Sequence, residues 1–157
     1  MSWNQEAVIR LGAALLLGAL FGLNRDLHGK PAGLRTHALV SLAAALATIM
    51  VLNAPNGVMA ADPNAIGRVV QGILTGVGFL GAGVIMRDPA GHVTGLTTAA
   101  TIWLCAVLGI VCGLGYWMLM GIGFVGTLLV LLLGRPVERK IEHWFKRDRS
   151  HPPDHGV

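Results

Sequence analysis

Residues 98–133 carry no charged side chain, and that single stretch decides the solvent in which the chain folds. It is too long for one crossing of a bilayer, since a spanning helix takes ~20 mostly apolar residues. The natural break is Gly113-Leu114-Gly115, where glycine permits a tight turn. The same ruler finds three further apolar runs, so the sequence predicts five spans, at 7–23, 36–52, 66–86, 98–113 and 116–133. Apolar residues make up 54% of the chain and charged residues 13%, the latter bunched into a few segments. The expected fold is therefore all-α and polytopic, with residues 1–134 as the membrane domain and 135–157 as a basic tail.

Orientation follows from the basic residues. Arg25, Lys30 and Arg35 lie between spans one and two, Arg87 lies between spans three and four, and the tail is basic from Arg135 to Arg149. The segment 53–65 contains Asp62 and no lysine or arginine. Short basic loops stay in the cytoplasm, which puts the N-terminus outside and the C-terminus inside. Arg10, one turn into span one, is placed to snorkel to the outer headgroups, as are Arg68 and Gln71 at the start of span three. The N-terminal segment lacks a basic signal-peptide region, so its apolar run is expected to be structure. The formal net charge of +4 lies largely beside the membrane, which favours anionic lipid over nucleic acid as its counterpart.

A twelve-residue segment occurs twice. Residues 25–36 and 87–98 align without a gap, with the identical pairs Arg25/Arg87, Asp26/Asp88, Gly29/Gly91, Gly33/Gly95, Leu34/Leu96 and Thr36/Thr98. Each copy joins two apolar runs, so the chain reads as two helical hairpins, spans one-two and three-four, in a parallel repeat about an axis along the membrane normal. Both bends then face the cytoplasm near that axis. Thr36 and Thr98 are placed to cap the helices that follow, and the two helix N-termini bring their positive dipole ends to one inner vestibule.

The candidate vestibule contains Asn24, Arg25, Asp26, Arg35, Thr36, His37, Arg87, Asp88, Thr97, Thr98 and Thr101. In one reading the aspartates pair with neighbouring arginines and fix the bends. In the other they form a polar site for an ion or a partner segment. If a metal binds, Asp26 and Asp88 are its candidate ligands. Hydrated Mg²⁺ wants carboxylate oxygens, but three arginines beside two aspartates oppose a tight cation cage. No other cofactor is implied. His37 has Ala99 at its repeat position, and its charge near a basic vestibule is a candidate pH response.

Gly72, Gly76, Gly78, Gly81 and Gly83 make span three the expected central helix, because small residues let helix backbones approach in lipid. Partial unwinding of residues 78–83 toward an ion path is the competing reading. Ala14, Gly18 and Gly22 give span one a small face for span three or for a second subunit. Cys105 and Cys112 are two turns apart on one helix face, where they suit packing rather than a disulfide. Beyond Leu133 a turn is expected at Gly134-Arg135-Pro136, followed by an amphipathic helix with Val137, Ile141, Trp144 and Phe145 on one face, Glu142 four before Lys146, and a disordered end at 150–157.

Three segments, 22–37, 76–85 and 95–101, resemble in order the motifs of the MgtC/SapB family of bacterial inner-membrane proteins. The resemblance implies a multi-span module linked to growth in low magnesium, survival inside host cells and acid stress. It further implies modulation rather than simple transport, with the F-type ATP synthase a proposed target. This chain departs from the family in two ways. Many relatives have glutamate in place of Asn24, and the virulence factors have asparagine in place of Thr97 and carry an additional soluble C-terminal domain.

Two function classes follow. A modulator that packs against another inner-membrane protein or its own copy, as a homodimer, predicts outward glycine faces and a vestibule closed by ion pairs. A transporter or channel for Mg²⁺ or another small ion predicts a wet path past Thr98 and Thr101. The sequence shows no zinc-protease spacing, nucleophile elbow or phosphate loop, so no enzyme is expected.

Overall fold

The computed structural model describes residues 2–53 and 64–148. They form five helices: α1 (Trp3–Leu27), α2 (Leu34–Leu52), α3 (Ala65–Gly83), α4 (Leu96–Leu114) and α5 (Trp117–Asp148). All five are long and apolar enough to cross a membrane, and the protein is an all-α, multi-pass membrane protein. A two-residue ribbon, β1 (Met86–Arg87) against β2 (Val93–Thr94), links α3 to α4. Asp62 and the expected disordered end at 150–157 lie outside the described residues.

The helices run further than the apolar stretches. α1 starts at Trp3, where the Ser2 amide donates to Gln5 Oε1 at 3.0 Å, and continues through Asn24, Arg25 and Asp26. Arg25 and Asp26 therefore stand on the last turn of a helix rather than in a loop. The break between α4 and α5 falls where glycine predicted it. Gly115 is left-handed, with φ 78°, and its amide closes on the Cys112 carbonyl while that of Tyr116 closes on Val111.

The threonine caps are a correction. The N-cap residues of α2 and α4 are Gly33 and Gly95, the matched glycines of the repeat, and Thr36 and Thr98 are the third residues of their helices. Neither N-cap makes a side-chain bond, so the cap role falls to backbone shape and, at α2, to a carboxylate from α1 described below.

The centre of the fold is α4, not α3. Its face from Thr98 to Gly113 is enclosed and includes Ile102, Cys105, Ala106, Gly109 and Cys112; both cysteines are free and buried. Helix α4 packs on α1, α2 and α3, and α2 also packs on α1 and α3. Close approach comes from glycines on α1 and α4. A Cβ on Gly18 would come within 2.5 Å of the His37 carbonyl oxygen, one on Gly109 would overlap the Ser41 carbonyl, and one on Gly113 would lie 2.8 Å from Thr48 Cβ. The small face of α1 is thus used against α2, and not for α3 or a second subunit. On α3 only Gly81 meets a neighbour, Ala99 at 3.5 Å; Gly72, Gly76, Gly78 and Gly83 have open space where a side chain would be. The helix is unbroken from Ala65 to Gly83, so residues 78–83 do not unwind.

Arg10 does not snorkel. It pairs with Glu6 and donates from Nη1 to the Gly113 carbonyl at 2.7 Å, capping the end of α4 from α1. A hydrogen bond from a charged group contributes about 1.5–3 kcal/mol when shielded. Arg10→Ala is expected to lower the melting temperature in detergent, and an unchanged melting curve contradicts that role.

The chain divides into two units, up to Gly121 and from Ile122. Helix α5 runs straight through Gly134-Arg135-Pro136, and the expected turn there is absent. Proline sacrifices one bond of the ladder and crowds the carbonyl four residues earlier, which membrane helices tolerate. Val137, Ile141 and Trp144 are exposed on this extension, and the side chains of Glu142, Phe145 and Lys146 lie outside the described ones. Thr127 returns its hydroxyl to the Gly123 carbonyl at 2.6 Å.

Candidate functional site: a polar cluster where the hairpin bends meet

The two bends lie at one end of the bundle, joined by side chains from α1, α2 and α4. Arg25, 5% exposed, donates from Nη2 to Thr98 Oγ1. The Thr101 hydroxyl lies 2.9 Å from the Thr98 carbonyl and 3.1 Å from His37 Nε2, and His37 Nδ1 lies 3.0 Å from the Gly33 carbonyl. His37, Thr98 and Thr101 are all buried. A guanidinium, two hydroxyls and an imidazole thus link three helices in a water-poor interior, where satisfied polar groups hold a packing arrangement strongly.

The aspartates serve their own bends. Asp26 Oδ2 accepts the Leu34 amide at 2.9 Å, closing the first turn of α2, and a Cβ on Gly33 would collide with that carboxylate. An acidic group at a helix N-terminus is also favoured by the helix dipole. Asp88 Oδ1 accepts the His92 amide at 2.8 Å, and its Oδ2 faces His92 Nδ1 at 3.3 Å across the β-ribbon turn, with Gly91 left-handed at φ 84°. Matched residues do only partly matched work in the two copies: Gly33 and Gly95 are both N-caps, but Gly33 is extended at φ −93° and Gly95 left-handed at φ 88°. Arg25 is buried and Arg87 exposed; Thr98 is buried and Thr36 exposed.

Of the remaining candidates, Arg35 and Thr97 are exposed, outside the cluster, and Asn24 is half-buried, its carbonyl accepting from His28 Nδ1 at 2.7 Å. Among the described residues no three of His, Cys, Asp and Glu converge as a metal donor set. Asp26 and Asp88 each accept a backbone amide of their own bend through one carboxylate oxygen. Sequence reasoning missed the cap role of Gly33 and Gly95 and the enclosure of Ser41, 0% exposed, behind Gly109. The glycine pairs were visible in the repeat; nothing marked Ser41.

The model of the MgtC family matches residues 11–140 of the chain. The chain belongs to the MgtC family. It is 47% identical to Protein SrpB of Synechococcus elongatus over 130 residues, covering 78% of this chain and 70% of that protein. It is 47% identical to Protein MgtC of Salmonella typhimurium over 108 residues, 69% of this chain but 43% of the longer MgtC. A protein of Escherichia coli named putative magnesium transporter YhiD is 40% identical over 129 residues, 80% of this chain and 59% of YhiD. The chain therefore spans less than half of the Salmonella protein. No solved structure matches the chain at a significant level.

Proposed function

We propose that this protein is a non-catalytic modulator of magnesium and ion homeostasis in the bacterial inner membrane, acting in adaptation to low Mg²⁺ or acid stress through contacts with other membrane proteins. The observation that carries this reading is the closed polar cluster. Arg25, Thr98, Thr101 and His37 are bonded to one another and to backbone, and Asp26 and Asp88 each accept an amide of their own bend, so the buried polar groups are committed to holding the helices together. The open glycines of α3 support it from the other side, since a backbone left uncovered by the described residues is available to a neighbouring helix. The occupant of that face is a second copy, as a homodimer, or another inner-membrane protein, for which the F-type ATP synthase is the candidate the family suggests. Basic bends and a basic tail support a cytoplasmic C-terminus and an outside N-terminus, with anionic lipid as the counterpart of the basic segments.

The test is ion flux into liposomes containing only the full-length purified protein, compared with Asp26→Ala and Asp88→Ala. The modulator reading expects no Mg²⁺ flux from correctly folded protein. Flux that is present in the parent and lost in both variants overturns it in favour of a transporter along the repeat axis.

A further inference from the structure

His37 lies where α1, α2 and α4 meet. Its ring is enclosed, 0% exposed, and its backbone carbonyl is covered by Gly18 of α1. Its two nitrogens have partners that fix where a proton can be. The Gly33 carbonyl can only accept, so Nδ1, at 3.0 Å, carries a hydrogen. Nε2 then has no hydrogen in the neutral ring and requires a donor, and the one within reach is the Thr101 hydroxyl at 3.1 Å. That hydroxyl has a single hydrogen and a second acceptor, the Thr98 carbonyl at 2.9 Å. It can serve only one of them at a time.

We infer that His37 is a proton-binding site built into the α2–α4 contact, whose occupancy decides which way the Thr101 hydroxyl points. With the ring neutral, Thr101 donates to His37 Nε2. When a proton binds Nε2, the ring donates to Thr101 Oγ1, and the freed hydroxyl hydrogen turns to the Thr98 carbonyl; no bond other than N–H is made or broken. Thr98 is also the residue that receives Arg25, so the proton state of α2 is read at the hydrogen bond between α1 and α4. The charged groups that act on the ring are Arg25 and Asp26 of α1. Helix α4 presents Thr98 and Thr101, with Cys105 one turn further along, and the ionisable side chain of α3, Arg68, stands in its first turn at the far end. The second copy of the repeat has Ala99 at the matching position, so the site belongs to one hairpin alone.

The experiment is ¹⁵N NMR of the full-length, histidine-labelled protein in lipid nanodiscs, with His37→Gln to assign the ring. In the neutral ring the expected spectrum has the proton on Nδ1 and a hydrogen-bonded, unprotonated Nε2. Thr101→Val is expected to shift the Nε2 signal while leaving His28 and His92 unmoved, Thr101→Ser is expected to restore it, and acidification is expected to protonate Nε2. A neutral ring with its proton on Nε2, or an Nε2 signal indifferent to Thr101→Val in folded protein, overturns the inference. If Thr101→Val fails to fold, the parent's tautomer and the Thr101→Ser spectrum decide the matter, since both report the proton's position directly.

Discussion

Gly109→Ala is expected to lower the stability of the folded protein by about 1–3 kcal/mol, the range for forcing an extra carbon into a packed interior. Gly72→Ala, on the same kind of apolar helix, is expected to cost nothing and to gain a few tenths of a kcal/mol, up to about 1, from helix propensity. The difference lies in the neighbours. A Cβ at Gly109 overlaps the Ser41 carbonyl, a backbone atom that can yield only by moving α2, whereas a Cβ at Gly72 meets nothing within 4 Å. In lipid the gain from burying apolar surface is small, so the loss of close backbone approach is not offset by the added methyl. Thermal unfolding in detergent and the yield of monodisperse protein check both. Equal melting temperatures for the two variants contradict the placement of α4 at the centre. Should Gly72→Ala leave the melt unchanged yet weaken association between copies or with a partner, the open face of α3 is its interface.

Arg25→Ala is expected to be more damaging than Arg87→Ala, although the two arginines occupy matched positions of the repeat. Arg25 is enclosed at 5% exposure and donates to Thr98 across the hairpins; its removal leaves the buried Thr98 hydroxyl without that donor, at a cost of about 1–3 kcal/mol. Arg87 is exposed on the β-ribbon, and its loss is expected to fall within about 0.5 kcal/mol, as for other surface positions. Unfolding midpoints of the two variants measured side by side give the comparison. Similar effects contradict the unequal roles assigned to the two bends.

That inequality marks the limit of what the residues declared in advance. Apolar length and the position of Gly115 were enough for five helices and for the turn between α4 and α5, because both follow from local rules of span and backbone freedom. The repeat was enough to find the bends, and its glycines proved to be the true helix N-caps. What was hidden depends on tertiary neighbours. Glycines on α3 and α4 look alike in sequence, but the approaches too close for a side chain are at Gly18 and Gly22 of α1 and Gly109 and Gly113 of α4, so the wrong helix looked central. Arg10 reads as a snorkelling residue until the Gly113 carbonyl is seen beside it. Pro136 reads as a stop, yet one missing N–H does not end a helix whose other bonds remain.

The most direct test of the closed cluster is water access to it. In a background with Cys105 and Cys112 replaced by alanine, single cysteines at Thr98, Thr101, Thr36 and Arg87 are exposed to a hydrophilic thiol reagent in intact proteoliposomes. Thr36→Cys and Arg87→Cys are expected to label rapidly, and Thr98→Cys and Thr101→Cys to stay unmodified while the protein remains folded. Labelling of Thr98→Cys and Thr101→Cys at the rate seen for Thr36→Cys means a wet path runs between the hairpins, and the closed, non-conducting account is then wrong.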